Sequence, residues 1–195
     1  SDPTLTNVTI ANNTADEHGG ALYLEYTSYP TLTNVTISGN TAGFSGGGMY
    51  LHTSDPTLTN SIIWDNSPES IYIDDNYSNL PPSTPTIIYS DIEDGWEDEG
   101  NIDVNPHFID SENGDYTLQA GSPCIDAGTA DLDGDGYEDI SGYCGTAPDM
   151  GAFEYITEDC EESTLSGDLN SDGLINVLDV VVLVNIVLGY ADPVD

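Results

Sequence analysis

The stretch PTLTNVTI, residues 3–10, decides the fold, because it returns unchanged at residues 30–37 and as PTLTNSII at residues 56–63. Repetition at a fixed period predicts stacked units that bury their apolar side chains against one another. A second segment repeats in the same way, as LYL at residues 22–24 and MYL at residues 49–51. Alternation of apolar and polar residues predicts short, half-buried β-strands. We therefore expect an all-β solenoid.

Aligning the repeats predicts columns of equivalent side chains about 4.8 Å apart, the distance between neighbouring strands. Each apolar column should run through the core, because residues that alternate along a strand share one face. The predicted apolar columns are Leu5, Leu32 and Leu58; Ile10, Ile37, Ile63 and Ile88; Leu22, Met49 and Ile71; and Leu24, Leu51 and Ile73. Between two core residues, Thr36 is expected on the outer face beside Ile37.

Two polar columns accompany the apolar ones. Asn7, Asn34 and Asn60 are expected at a sharp corner, because Asn tolerates the left-handed backbone conformation, and their amides are expected to form a ladder between coils. A second asparagine column is formed by Asn13, Asn40 and Asn66. A tyrosine column, which is expected to stack on the outside, is formed by Tyr23, Tyr50 and Tyr72.

This pattern resembles the right-handed parallel β-helix, the pectin-lyase-like fold. A β-sandwich is the alternative all-β fold, but it does not require the same residue at the same corner of every repeat. After Ile92 the repeat fades, and the stretch that ends in APDMGAFEY is similar to the closing region of secreted bacterial β-helix proteins. The resemblance implies an extracellular or cell-surface protein. The predicted domains are coils at 1–92, a closing region at 93–156, a linker at 157–166 and a calcium-binding segment at 167–195.

The charge of the chain limits its partners. It contains 36 acidic residues and no Lys or Arg, so its formal net charge is −36. Such a polyanion repels nucleic acids and anionic membranes but attracts Ca²⁺, which prefers carboxylate and carbonyl oxygens. The longest apolar run, residues 177–188, is interrupted by polar residues and is too short to span a bilayer. Because 37% of the residues are hydrophobic, we expect a folded chain rather than a disordered one.

The stretch DLNSDGLINVLD, residues 168–179, has the ligand spacing of an EF-hand calcium loop, with a predicted helix following it. It resembles one half of a dockerin type I module, which implies a cohesin-like partner; dockerins carry two such halves, and this sequence contains one. The predicted Ca²⁺ ligands are Asp168, Asn170, Asp172, the Leu174 carbonyl and Asp179.

A second acidic loop, DLDGDGYED at residues 131–139, places carboxylates at alternate positions before a glycine. Carboxylates this close repel one another unless a cation neutralises them, so we expect a Ca²⁺ site here as well. An acidic surface turn that binds nothing is the alternative. The predicted ligands are Asp131, Asp133, Asp135 and Asp139.

Three cysteines, Cys124, Cys144 and Cys160, allow at most one disulfide. Without a CxxC pair, zinc binding is not expected. We expect a single structural bridge between Cys124 and Cys144, formed in an oxidising compartment.

Catalysis is not predicted. The resemblance implies that lyase activity would need a basic residue, and the chain contains no Lys or Arg. Hydrolysis would need clustered carboxylates on one face, but the predicted strands carry only scattered acids. The histidines have no nucleophile at a recognisable spacing. The scattered acids are Glu25, Asp65, Asp74 and Asp91, and the histidines are His18, His52 and His107.

The sequence instead favours a non-catalytic, calcium-stabilised extracellular structural protein that assembles with itself. A helix over residues 177–188 would be apolar on nearly every side and would need a partner, which a neighbouring subunit would supply to form a fibre. The alternative for this helix is that it folds back onto the closing region. The alternative function is a polysaccharide-binding or polysaccharide-degrading module with an aromatic cleft formed by Tyr23, Tyr50, Trp64 and Tyr72.

Overall fold

A computed structural model describes residues 2–75, 81–157 and 160. The chain divides into two compact units, Ser1–Tyr155 and Ile156–Asp195. The predicted calcium loop at 168–179 and the predicted apolar helix at 177–188 lie outside the described residues, so both stay predictions. Within the described residues, no helix is long and apolar enough to cross a membrane.

The described part of the chain is built from short strands. They are β1 (Thr4–Ala11), β2 (Thr14–Ala15), β3 (Leu22–Glu25), β4 (Thr31–Ser38), β5 (Thr41–Ala42), β6 (Met49–His52), β7 (Thr57–Thr59), β8 (Ile62–Trp64), β9 (Ile71–Ile73), β10 (Thr86–Ile88), β11 (Asp91–Ile92), β12 (Phe108–Asp110) and β13 (Asp115–Leu118), with a 3₁₀ turn at Ser111–Asn113.

The strands stack as the repeat predicts. Strand β4 pairs in parallel with β1 on one side and with β7 and β8 on the other, and β10 and β11 extend the same sheet. Strands β3, β6 and β9 form a second parallel sheet in which LYL lies on MYL in register. The result is a β-solenoid of about three turns, which confirms the predicted fold class. An antiparallel hairpin of β12 and β13 follows it.

The predicted asparagine corner is confirmed. Asn7, Asn34 and Asn60 have positive φ angles of 55°, 52° and 51°. This left-handed conformation, which Asn adopts more readily than most residues, bends β1 and β4 in their middle. In the third coil the bend separates β7 from β8.

The amide ladder lies in the other asparagine column, so its predicted position was wrong. The Asn13 Nδ2 donates to Asn40 Oδ1 at 3.0 Å, and the Asn40 Nδ2 donates to Asn66 Oδ1 at 3.0 Å. Each amide also bonds backbone, since Asn40 Nδ2 donates to the Ile10 carbonyl at 2.9 Å. Asn40 is completely buried, so this column satisfies backbone groups inside the solenoid.

The apolar columns form the core. Ile37 lies between Ile10 and Ile63 in register and is completely buried. The predicted extension of this column by Ile88 was wrong, because Ile92 pairs with Ile63 while Ile88 pairs with Thr59. The reason is a longer step after the third repeat: Ile63 and Ile92 are 29 positions apart, whereas Ile10, Ile37 and Ile63 are spaced by 27 and 26. The other fully buried members of the core are Leu32, Val35, Met49, Leu51, Leu58 and Ile87.

The tyrosine column stacks as expected. The rings of Tyr23 and Tyr50 are 5.0 Å apart at an angle of 5°, and those of Tyr50 and Tyr72 are 5.5 Å apart at 18°. Tyr50 is nonetheless buried, because its neighbours and His18 cover its ring. Its hydroxyl donates to Asp74 Oδ2 at 2.6 Å.

The closing region folds back along the side of the solenoid. The Asn12 amide donates to the Tyr116 hydroxyl at 3.0 Å, and the Ala152 N–H donates to Thr36 Oγ1 at 2.9 Å. Thr36 is therefore only 1% exposed, although its predicted position on the outer face is confirmed. The side chain does point away from the core, but the closing region covers it.

The same region covers the last coil. The Ile92 N–H donates to the Ile102 carbonyl at 2.9 Å, and the Ile102 N–H donates to the Ser90 carbonyl at 2.9 Å. Trp96 packs against the apolar core at this end. The backbone groups of the final strand are thus paired by the closing region.

The disulfide expectation was also wrong. Cys144 and Cys160 are disulfide-bonded, whereas Cys124 is a free, buried thiol. The Cys124 side chain points into a second apolar cluster with Ile62 and Met150. The burial of Cys124 in this cluster, rather than its distance in sequence from the other cysteines, keeps it from forming a disulfide.

Candidate metal site

The acidic loop at residues 131–139 brings three predicted ligands together. One carboxylate oxygen from each of Asp131, Asp133 and Asp139 lies within 4.8 Å of the others. The fourth predicted ligand, Asp135, is not part of this group; its Oδ1 instead accepts from the Tyr137 N–H at 2.9 Å.

Backbone hydrogen bonds wrap the loop around Asp131. Its two carboxylate oxygens accept from the Gly134 N–H at 2.7 Å and the Gly136 N–H at 2.8 Å. Both glycines have positive φ angles, 77° and 89°, which permit the tight reversals of the chain. The Leu132 N–H donates to Asp139 Oδ2 at 2.9 Å, which brings the end of the loop back to its start.

The oxygen spacing fits a calcium ion. Ligands at about 2.3–2.6 Å from one Ca²⁺ can be at most about 5 Å from one another, and the three carboxylates lie within 4.8 Å. Carboxylate oxygens are the hard ligands that Ca²⁺ prefers. The loop could therefore hold this cation through Asp131, Asp133 and Asp139.

The solenoid positions the loop. At the third corner, Asn60 Nδ2 donates to the Thr129 carbonyl at 2.8 Å, and the Thr129 N–H donates to Asn60 Oδ1 at 2.8 Å. A cavity of about 280 Å³ lies beside the loop, lined by Asp131, Asp133 and Glu99 among others. The site residues are thus held two residues from a fixed corner of the fold.

The acids considered for hydrolysis do not form a pair among the described residues. Asp74 accepts the Tyr50 hydroxyl proton, and Glu25 accepts from the Tyr23 hydroxyl at 3.2 Å. Asp65 lies on the end of β8, and its N–H donates to Glu93. The carboxylates of Asp74 and Glu25 thus each accept a hydrogen bond from a tyrosine of the stacked column.

Asp91 is the acid whose environment the sequence did not reveal. It is completely buried, accepts the Val104 N–H at 3.1 Å and accepts from the Cys124 thiol at 3.2 Å. Burial raises the pKa of Asp91 to about 6, and the repulsion of nearby Asp103 and Glu93 adds to this. Burial likewise raises the pKa of the Cys124 thiol, which keeps it protonated and unreactive.

A pH dependence of stability follows from Asp91. Because its pKa of about 6 in the folded protein exceeds the value of about 3.9 in an unfolded chain, only the folded protein binds this proton between the two values. The free energy of unfolding should therefore rise as pH falls from about 7 to 4, by up to about 3 kcal/mol from this group. Urea titrations of the protein and of Asp91→Asn at several pH values measure the difference. Equal pH slopes for the two proteins would contradict this assignment.

The aromatic side chains do not form the single cleft considered for sugar binding. Tyr23, Tyr50 and Tyr72 lie on the β3–β6–β9 sheet, whereas Trp64 lies on β8 in the other sheet. Trp64 is half-buried against the second apolar cluster. The tyrosine faces are occupied by one another, so the column serves packing.

Two of the three histidines are held by packing, and the third is exposed. His18 lies 4.6 Å from the Tyr50 ring and 5.6 Å from the Phe44 ring. His52 lies on β6 with its ring 5.4 Å from that of Tyr26. His107 has a left-handed φ of 53° and lines a cavity with Trp64 and Asp65.

Parallel coils, in-register columns and an internal amide ladder define the class of β-solenoid proteins. Residues 1–105 match the family described as a right-handed β-helix region, and the chain belongs to this family. Neither a curated protein nor a solved structure matched the chain. The family contains both enzymes and non-enzymes, so membership does not decide between them.

Proposed function

We propose that this chain is a non-catalytic structural protein of the extracellular space, a calcium-stabilised β-solenoid that associates with copies of itself. The observation that supports the proposal best is the group of Asp131, Asp133 and Asp139, whose oxygens lie within 4.8 Å of one another. The chain has no Lys or Arg to neutralise them. A cation from the surroundings is the remaining source of positive charge.

Calcium would act on the position of the closing region. The loop is joined through Thr129 to Asn60 at the corner of the third coil. Neutralising its carboxylates removes repulsion that opposes the folded loop. Because Ca²⁺ outside cells reaches about millimolar concentrations, sites with dissociation constants of roughly 10⁻⁴–10⁻³ M are occupied there.

We expect Ca²⁺ to raise the melting temperature of the protein, and Asp133→Asn to reduce that increase. A ligand that binds only the folded state at 100 times its dissociation constant stabilises it by about 2.7 kcal/mol. Differential scanning calorimetry in CaCl₂ and in chelator measures this effect. The predicted loop at residues 168–179 contributes separately, so Asp172→Ala is measured alongside.

Glu138→Gln is the matched control, because it removes one carboxylate from the same loop without touching the group. Glu138 is exposed, and its carboxylate accepts the Tyr143 hydroxyl. The control should keep the full response to Ca²⁺. If Asp133→Asn and Glu138→Gln change the response equally, the effect is one of general charge and the site is not a specific one.

Self-association is supported by the apolar run at residues 177–188, which the sequence predicts as a helix apolar on nearly every side. A helix of this kind must be buried against a partner, and a neighbouring subunit is the partner that we propose.

Light scattering and electron microscopy, in Ca²⁺ and in chelator, test the association. We expect particles larger than a monomer in Ca²⁺ and their loss when residues 160–195 are deleted. A monomer at high protein concentration in Ca²⁺ would overturn this part of the proposal. Unchanged assemblies after the deletion would assign the contact to the remaining part of the chain instead.

A further inference from the structure

A further polar cavity lies at the corner of the first two coils, and Ile140 and Ser141, which directly follow the acidic loop, help to line it. Its volume is about 200 Å³, and Asn7, Asn34 and Glu154 line it together with backbone near Gly142 and Gly151. None of these residues belongs to the predicted calcium loops. The cavity is therefore a separate feature of the fold.

Two oxygens that line this cavity lack partners. Asn34 Oδ1 and Glu154 Oε2 are both buried, and neither has a hydrogen-bond partner among the described residues. Buried polar atoms are almost always paired, because leaving one unpaired costs free energy. Two unpaired acceptors on one cavity indicate that a group other than the described residues completes them.

The polar groups that neighbour these two oxygens, and the equivalent asparagine of the next coil, do have hydrogen-bond partners. Asn60, the equivalent corner residue one coil further on, has both amide atoms bonded to Thr129. The other oxygen of the Glu154 carboxylate accepts from the Asp149 N–H at 3.0 Å, and Asp149 accepts from the Tyr155 N–H at 2.6 Å. The two orphaned oxygens are thus exceptions in an otherwise bonded network.

The charge around the cavity favours a cation. The Glu154 carboxylate lies close to two further acids, Asp149, whose N–H donates to its Oε1 at 3.0 Å, and Asp126. Asp149 is itself 1% exposed. The chain has no Lys or Arg to neutralise this negative region.

We propose that this cavity is a further Ca²⁺ site, in which Asn34 Oδ1 and Glu154 Oε2 are ligands. An amide and a carboxylate oxygen are hard ligands that suit Ca²⁺, and the cavity leaves room for the water molecules that complete its six to eight ligands. The ion ties the closing region to the corner of the second coil, as Thr129 ties it to the third.

The test uses the full chain with Asp133→Asn and Asp172→Ala, which remove one ligand from each predicted calcium loop. Isothermal titration with CaCl₂ should still detect one site. Adding Glu154→Gln, or Asn34→Gly, should weaken that site at least tenfold. Glycine is suitable at position 34 because the backbone there is left-handed, with φ of 52°.

Adding Glu138→Gln to the same background is the control, and it should leave the remaining site unchanged. Circular dichroism of each variant in chelator checks that the fold is retained. The proposal is overturned if the background protein binds no Ca²⁺, which would leave water as the occupant, or if binding survives both Glu154→Gln and Asn34→Gly. The proposed loop site fails separately, if Asp133→Asn does not lower the number of ions bound.

Discussion

Replacing Ile37 with aspartate is expected to leave no folded protein. Ile37 is completely buried between Ile10 and Ile63, in the middle of an apolar column. A buried carboxylate without a partner costs several kcal/mol, and the chain has no lysine or arginine to pair with it. That cost is comparable with the whole stability of a small domain, about 5–15 kcal/mol. Soluble yield and far-ultraviolet circular dichroism measure the outcome.

Thr31→Asp is the matched control, on the same strand and with the same charge change. Thr31 is exposed and pairs in register with Thr4 and Thr57. We expect a loss of about 1 kcal/mol or less, typical of an exposed strand position. If the two variants unfold at similar urea concentrations, the assignment of inward and outward faces is wrong.

Asn40→Ala is expected to cost about 3–6 kcal/mol. The Asn40 side chain donates to the Ile10 carbonyl at 2.9 Å and to Asn66 Oδ1 at 3.0 Å, and it accepts from the Asn13 N–H at 3.0 Å. Alanine leaves these groups without their partner, and each buried unpaired group costs about 1–3 kcal/mol. Urea denaturation followed by circular dichroism measures the difference.

Asn13→Ala removes the exposed end of the same ladder and serves as the comparison. Its amide bonds Asn40 Oδ1 and the Ala11 carbonyl, but Asn13 is exposed and its backbone N–H still donates to Asn40 Oδ1 when the side chain is removed. We expect a loss of about 1 kcal/mol. A similar loss for Asn13→Ala and Asn40→Ala would mean that burial does not govern the ladder.

The solenoid could be predicted because the period of the repeat and the alternation of apolar and polar residues can both be read from the sequence. The same pattern placed the amide ladder in the wrong column because Asn34 and Asn40 repeat equally well. What separates them is the backbone: Asn34 occupies the left-handed corner, whereas Asn40 is turned inward beside the Ser38 carbonyl. Periodicity identifies equivalent residues but not the direction in which an amide points.

The closing region was harder to predict, because its contacts join residues far apart in sequence. Thr36 contacts Ala152, and Asp91 contacts Cys124. No repeat relates these partners, so neither the burial of Thr36 nor the free state of Cys124 could be read from spacing. The ligands of the acidic loop were easier to predict, since Asp131, Asp133 and Asp139 are close in sequence. Of the four predicted ligands, only Asp135 lies outside the group.

The cavity between Asn34 and Glu154 gave no signal in the sequence. Asn34 has the same identity as its equivalents in the other coils, and Glu154 is one acid among 36 acidic residues. The two become notable only when the fold brings both to one cavity and leaves an oxygen of each without a partner.

The path of the closing region changes how the stack should come apart. In most repeat proteins each unit touches only its neighbours, so the array can fray one unit at a time. Here a single segment bonds Asn12 in the first coil, Thr36 in the second and Asn60 in the third. No coil can open without releasing that segment, so the array melts as one cooperative body. Its folding must wait for contacts that span most of the chain, which makes the last step slow.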